Sequence, residues 1–492
     1  MSSPIIRRIF LDLAFDRNSK RPLYLQIADH VVSLIKSGEL KFNQQLLGSR
    51  ELGELLLINR VTVTKAYAEL ESQGWIESHK GRGTFVAAQL ADSDPEKMGI
   101  LMPQIRRGLN LYPRKYLDTF TESPYPEWHL DDGYPDMSLA PLKEFYRAYR
   151  SQLTRVSNHQ KFGSYGNPAG PLAYRQALSA YLNETRSLKT NLQQIMSVRG
   201  TLMGINLVCN ALINPGDVVV SEIPGWRSAE QNFIHAGARI IGVGVDEHGM
   251  IVEELREICK KHRVRMVYVT PHHQFPTTVS LRMDRRIELL RLASEYRFLI
   301  FEDDYDFDFH YKLRPLLPLA SADENGMVIY CGSFSKSFSP AFRMGYLVAS
   351  EKIIQQLCSV RMIVDRQGDH LLDNAVAELL SDGTIQRNLR KTLSVYRARR
   401  DVFCTLLSAE LGNAVEFSIP EGGMSVWTRF SPSIDLDKLG IEALKKGLHL
   451  PPKKEHIYEN FDQNALRLGF ASSSPLALEK CVQIIKKLLS KH

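Results

Sequence analysis

The run Cys331-Gly332-Ser333-Phe334-Ser335-Lys336-Ser337-Phe338-Ser339-Pro340-Ala341-Phe342-Arg343 follows the apolar segment Val328-Ile329-Tyr330-Cys331. It reads as the end of a buried strand and a polar loop. Hydroxyls at Ser333 and Ser335, with the charged fork of Arg343, are what a phosphate dianion needs. An amine among them is what an aldehyde needs, because only a primary amine forms a Schiff base. Together these groups point to pyridoxal 5'-phosphate (PLP), with Lys336 on the aldehyde carbon. Taken alone, the stretch also reads as a solvated Ser/Lys loop.

A second stretch bears on that choice. Arg297-Phe298-Leu299-Ile300-Phe301-Glu302-Asp303-Asp304-Tyr305-Asp306 is an apolar strand ending in acids and a tyrosine. PLP chemistry needs a carboxylate at the pyridine nitrogen, which keeps the ring protonated and electron-withdrawing. Asp303 stands at the carboxyl end of its strand, where open α/β sheets bind ligands. Tyr305 is placed to reach the cofactor's phenolic oxygen. Asp304 and Asp306 read as ordinary members of a surface acidic turn.

With these residues in this order, the chain resembles the MocR family of bacterial transcription regulators. In that family a GntR-type winged helix is fused to a fold-type I aminotransferase-like domain. The resemblance covers roughly residues 20–87 and 125–490. It implies an α/β chain: an N-terminal winged helix-turn-helix, then a PLP-dependent transferase fold with a mostly parallel central sheet and a small C-terminal α/β subdomain. The expected division is a DNA-binding head at 1–87, a linker at 88–124, and an effector and dimerisation domain at 125–492.

The bulk numbers agree with this division. At 492 residues more than one domain is expected. The 44% hydrophobic and 24% charged fractions are those of a globular protein. A net charge of +7 is compatible with nucleic acid without requiring it. Six cysteines without a C-x-x-C pair suggest a reducing cytoplasm and no structural zinc. The start of the chain lacks the apolar core of a signal peptide, and no window is apolar enough to span a membrane.

In the head, residues 22–37 carry apolar positions at helical spacing, with Pro22 at the start and Gly38 past the end. Ser49 reads as the N-cap of a second helix. After the turn Leu57-Ile58-Asn59, a third helix puts Val63, Ala66, Tyr67 and Leu70 on one face and Arg60, Thr62, Thr64 and Lys65 near its start. That is how a recognition helix enters the major groove. Trp75 to Val86 reads as a two-stranded wing around Lys80-Gly81-Arg82-Gly83, where Lys80 and Arg82 can meet phosphates or the minor groove. Residues 1–90 hold 12 Lys/Arg and 9 Asp/Glu, so 12 − 9 = +3, and charge alone leaves a protein-binding head open. The resemblance makes Arg50, Arg60 and Thr62 contacts to double-stranded operator DNA. Leu46-Leu47-Gly48 departs from the family's usual Pro-Ser at the loop entry. The linker from about Ala88 is polar and proline-punctuated; its Arg106, Arg107, Arg114 and Lys115 read as solvated charges or DNA contacts.

In the large domain, apolar runs alternate with helical stretches, hence a mostly parallel sheet. Backbone N–H groups at the helix starting near Gly200 can hold phosphate. By the resemblance, Thr201 and Leu202 belong to the phosphate turn, Trp226 stacks on the pyridine ring, and Tyr165 reaches the phosphate of a partner subunit. Tyr165 otherwise reads as a loop aromatic. Arg467, in Ala465-Leu466-Arg467-Leu468-Gly469-Phe470, matches the arginine that holds a substrate carboxylate, against a strand-edge salt bridge as the plain alternative. The loop Thr270-Pro271-His272-His273-Gln274-Phe275-Pro276-Thr277-Thr278 departs from the family at His272 and at Thr278, where glycine is usual. His272-His273 has no third ligand at a useful spacing, so no metal is expected. The basic helix 386–400 reads as a solvated face or a docking surface.

The function these features imply is a cytoplasmic, PLP-dependent transcriptional regulator. It would bind DNA through the winged helix and sense PLP or an amino compound by aldimine chemistry at Lys336, as a head-to-tail homodimer. The alternatives are an active PLP-dependent aminotransferase carrying a DNA-binding head, and a scaffold that binds no cofactor.

Overall fold

The computed structural model describes residues 9–10, 15–16, 19–87, 114, 116, 126–155, 163–311, 316–453, 458, 461 and 463–490. The linker positions Arg106, Arg107 and Lys115 lie outside the described residues. The chain divides into two compact units, residues 1–114 and 115–492.

In the first unit, α1 (Leu23–Lys36), α2 (Ser49–Leu55) and α3 (Arg60–Ser72) precede the hairpin of β1 (Ile76–His79) and β2 (Gly83–Val86). Helix α1 begins right after Pro22 and buries Ile27, Ala28, Val31, Leu34 and Ile35. Helix α3 starts where the Asn59 side chain caps Val61 N–H at 2.9 Å, satisfying one orphan donor. Its buried face is Val63, Ala66, Tyr67 and Leu70. Gly48, not Ser49, precedes α2, and the end has no side-chain cap; Ser49 Oγ instead accepts from Arg60 Nε at 3.4 Å. The departing Leu46-Leu47 entry is core: both side chains are buried. Tyr67 donates to Leu47 O at 2.7 Å, and Leu46 N–H donates to Thr84 O at 2.8 Å, tying the entry to α3 and the wing.

The second unit is built on an eight-stranded sheet of order β4-β11-β10-β9-β8-β5-β6-β7. A short strand, β3 (Trp128–His129), lies outside it. The sheet comprises β4 (Ile195–Val198), β5 (Val218–Ile223), β6 (Arg239–Asp246), β7 (Gly249–Met250), β8 (Val264–Val269), β9 (Leu299–Asp304), β10 (Val328–Ser333) and β11 (Gly345–Val348). β10, β9, β8, β5 and β6 are successively parallel; β11 runs antiparallel to both of its neighbours. Along β5, Val218 and Val220 face one core and Val219 the other, so the sheet is covered on both faces. One covering helix, α4 (Gly200–Leu212), follows β4 directly.

A smaller three-stranded antiparallel sheet joins β12 (Val415–Phe417), β13 (Ser425–Phe430) and β15 (Ala465–Gly469). β14 (Leu448–His449) pairs with β3, stitching the start of the unit to its C-terminal part. The basic stretch 386–400 lies in the helix Thr384–Leu411. It is not simply a solvated or docking face. Arg399 pairs with Asp136 at 2.7 Å, Arg400 donates to Pro420 O at 2.9 Å, and Arg397 donates to Tyr311 O.

Candidate functional site

The carboxyl ends of the parallel strands, with the start of α4, enclose a cavity of about 270 Å³. This is the crevice where open α/β sheets hold ligands. Of the sequence-derived positions, Lys336, Asp303, Tyr305, Ser333, Ser335, Arg343, Thr201, Leu202, Trp226 and Arg467 all line it. Tyr165 does not; it is 70% exposed, with the Arg366 guanidinium 4.3 Å from its ring centroid.

Asp303 is the penultimate residue of β9, paired with Cys331 of β10, and it is 3% exposed. One carboxylate oxygen accepts from Tyr268 Oη at 2.7 Å; the other, Oδ1, has no protein partner. Burial pushes this carboxyl up to about 7, with the Tyr268 hydrogen bond opposing. A buried, unsatisfied acceptor facing a cavity is costly unless a ligand completes it.

Gly200 opens α4 at φ +74°, and Thr201 and Leu202, in the first turn of that helix, line the cavity. Added side-chain bulk at Gly200 would sit 3.0 Å from the Arg343 guanidinium. Arg343 is exposed, itself at φ +51°, and donates to Arg199 O at 3.4 Å. Ser333 Oγ accepts from Ser335 N–H at 3.0 Å, which shapes the loop between β10 and Lys336. A helix start, hydroxyls and an arginine make an anion cradle.

Lys336 Nζ donates to Gly133 O at 2.7 Å and lies 4.9 Å from the centroid of the Tyr134 ring. Gly133 adopts φ +77°, and a Cβ there would meet Ser425 Oγ at 2.4 Å, so the close approach requires glycine. Burial lowers the Lys336 amine pKa, while the Asp132 charge opposes the shift. An amine lowered in this way is a better nucleophile at neutral pH.

Tyr305 donates to His273 O at 2.7 Å and receives Arg467 Nη2 at 3.2 Å. Arg467, 2% exposed, also places Nε 2.9 Å from Asp132 Oδ1 and donates Nη1 to Pro276 O at 3.1 Å. Burial pushes the Asp132 carboxyl up, against the pull of Arg467 and Lys336.

The acidic end of β9 is not a surface turn. Asp304 and Asp306 are each 4% exposed. Asp304 accepts from Tyr330 Oη at 2.6 Å and Asp306 from His273 Nδ1 at 2.7 Å. His272 Nε2 meets Leu316 O at 2.6 Å, so the two histidines diverge onto separate partners. Thr278 takes φ +65°, the left-handed conformation that glycine favours, and the turn is kept by its N–H to Gln274 O at 2.7 Å.

The cavity also contains Asp132, Tyr134, Tyr268, Thr270 and Phe275, none of them singled out from sequence. Tyr268 was legible in principle: it lies on the strand beside β9, with the alternation that aims it at the Asp303 side. Asp132 gives only a weak signal, an acid before the glycine that opens the unit.

In the first unit, Arg60, Thr64, Lys80 and Arg82 are exposed and Thr62 is half-buried. Arg50 is exposed and pairs with Glu54 at 3.5 Å. Gln45 Nε2 donates to Arg82 O at 2.9 Å and holds the wing turn. These positions spread over the starts of α2 and α3 and the tip of the wing, the surfaces a winged helix presents to a duplex.

A doubly covered sheet with a lysine loop, a strand-end carboxyl and a helix-start anion cradle is the architecture of an aminotransferase. The family model for aminotransferase class I and II matches residues 134–485, and that for the gntR family of bacterial regulatory proteins matches residues 23–86. The chain belongs to the aminotransferase class I and II family and, with its GntR head, to the MocR-type GntR transcriptional regulators. It is 25% identical over 481 residues to the probable rhizopine catabolism regulatory protein MocR of Rhizobium meliloti, covering 96% of this chain and 95% of that one. It is 31% identical over 311 residues to aromatic-amino-acid aminotransferase 1 of Thermococcus litoralis, covering 62% and 75%. Among solved structures, kynurenine aminotransferase of Pyrococcus horikoshii superposes with a TM-score of 0.71 at 26% identity, covering 80% of this chain and 99% of that one.

Proposed function

We propose that this regulator binds PLP at the cavity described above and reads an amino compound there, passing the result to operator DNA. The observation that carries this is the unpartnered Asp303 Oδ1, buried in the wall of a cavity whose other groups fit the same cofactor. Asp303 fits the pyridine nitrogen, Trp226 the ring face, and Tyr305 the phenolic oxygen. Thr201, Leu202, Ser333, Ser335 and Arg343 fit the phosphate. When bound, PLP supplies an electrophilic aldehyde and an electron-withdrawing ring.

The chain's own groups do the rest. Asp303 provides the charge that keeps the ring nitrogen protonated, and Tyr268 orients it. Lys336, with its amine pKa lowered by burial, provides the nucleophile and is steered by Gly133 O. An amine ligand would compete with the Lys336 amine in the cavity, and a ligand that favours one of two states of the domain would shift their populations. Arg50, Arg60, Thr62, Thr64, Lys80 and Arg82 are the proposed DNA contacts. Tyr165, exposed on its own subunit, is proposed to serve the phosphate site of a partner in a homodimer. As a DNA-binding protein, the chain is proposed to act in the cytoplasm.

The alternative with a specific observation behind it is a working aminotransferase, since the lysine, the strand-end carboxyl and Arg467 are all in place. Absorbance of the purified chain with added PLP, beside Lys336→Ala, tests the cofactor: a visible band that depends on Lys336 is expected, and a colourless mixture overturns the reading. Release of a keto acid on adding an amino acid favours the enzyme.

A further inference from the structure

Arg467, the arginine expected to hold a ligand carboxylate, already has an acidic side chain of its own chain beside it. Arg467 Nε lies 2.9 Å from Asp132 Oδ1, Nη1 donates to Pro276 O at 3.1 Å, and Nη2 donates to Tyr305 Oη at 3.2 Å. Nη1 and Nη2 are thus hydrogen-bonded, whereas Nε meets Asp132 only as a charge contact without hydrogen-bond alignment, so the Arg467 charge stands against a carboxyl group of the same chain. Holding a ligand carboxylate in a bidentate pair needs two parallel N–H groups from one edge. Here the Nε edge faces Asp132.

Asp132 is part of the cavity wall, not a distant salt-bridge partner. Its side chain is 32% exposed, it lines the cavity with Lys336 and Arg467, and its charge acts on the Lys336 amine. A ligand carboxylate reaching for Arg467 would have to displace Asp132 or lie beside a like charge. The neighbouring surfaces are the rings of Phe275, 5.1 Å from the Arg467 guanidinium, and Tyr134, 4.9 Å from Lys336 Nζ. Aromatic faces beside an acid accept apolar groups and cations, not anions.

We propose that the site selects amines whose non-reacting part carries no carboxylate, and that Asp132 sets this preference by placing a like charge against the Nε edge of Arg467. A second ammonium group on the ligand is favoured, since Asp132 and the rings can receive it. The inference rests on the proposed amine-sensing role and names the class of compound sensed.

The test is calorimetric titration of the PLP-loaded full chain with two matched pairs: phenylalanine against 2-phenylethylamine, and lysine against 1,5-diaminopentane. Wild type, Asp132→Asn and Asp132→Ala are compared, with thermal melts to establish folding. Wild type is expected to bind each amine at least ~10-fold more tightly than its amino acid, and the variants to reduce or invert that ratio by a similar factor. A wild-type preference for the amino acids overturns the proposal. So does a ratio unchanged in both variants, or silence from all four compounds. Failure of the cofactor reading would show separately, as no Lys336-dependent absorption before any amine is added.

Discussion

Asp303→Asn separates what burial costs from what a ligand recovers. Asp303 is 3% exposed, and its carboxyl is raised from an ordinary 3.8 to about 7, chiefly by burial. A raised native pKa means the folded chain holds the proton more tightly than the unfolded one. The contribution to stability is therefore fully present below the unfolded value and lost as pH rises through about 7. At about 1.4 kcal/mol per unit, ionising Asp303 in the cofactor-free protein costs roughly 4 kcal/mol at about pH 8 and roughly 2 at about pH 5. Asparagine cannot ionise, so the variant should gain on wild type by about 2–3 kcal/mol between those conditions. The Tyr268 hydroxyl can still donate, to the amide oxygen, across the 2.7 Å now spanned to Oδ2. The new amide donor facing the place of Oδ1 costs about 1–3 kcal/mol, but equally at both pH values. Urea denaturation of the cofactor-free protein, followed by tryptophan fluorescence at both pH values, measures the difference. With PLP present the sign reverses, because asparagine offers the ring nitrogen no charge, and affinity should fall. A stability difference that is flat with pH, or that moves against the variant as pH rises, would mean that the Asp303 carboxyl is not raised in the folded chain.

Two further outcomes follow from particular residues. Thr278→Gly should raise stability by about 1 kcal/mol in thermal melts, because a β-branched residue is strained at φ +65°; no gain would mean the loop relaxes that strain elsewhere. Arg82→Ala at the wing tip should weaken DNA binding evenly across sequences and reduce the salt slope by about 1, whereas Arg60→Ala should alter sequence preference as well; fluorescence anisotropy over a salt series distinguishes the two.

The lysine loop, Asp303 and the recognition helix were legible because each is local. A polar loop after an apolar strand, an acid closing a strand, and apolar positions at helical spacing need no knowledge of distant segments. The burial of Asp304 and Asp306 was not legible. It depends on Tyr330 from the next strand and His273 from another loop, pairings that exist only once the sheet is assembled. The same holds for Arg399 and Arg400, read as surface charge but held by Asp136 and Pro420. Asp132 escaped notice because its partner, Arg467, arrives on β15, brought close by the β14–β3 pairing that folds the chain's end onto the unit's beginning. The Leu46-Leu47 departure looked like altered loop chemistry and is instead core packing, satisfied by the Tyr67 hydroxyl.

In the proposed function, chemistry at Lys336 governs DNA binding. The most direct test is the affinity of the full chain for a duplex selected from a random pool. It should be measured with and without PLP and an amine that perturbs the cofactor's absorption, in wild type and in Lys336→Ala. Wild type should change affinity several-fold on adding the ligands, and Lys336→Ala should bind DNA but not respond. An identical response in Lys336→Ala, or unchanged wild-type affinity while a keto acid accumulates, would rule out control of DNA binding by Lys336.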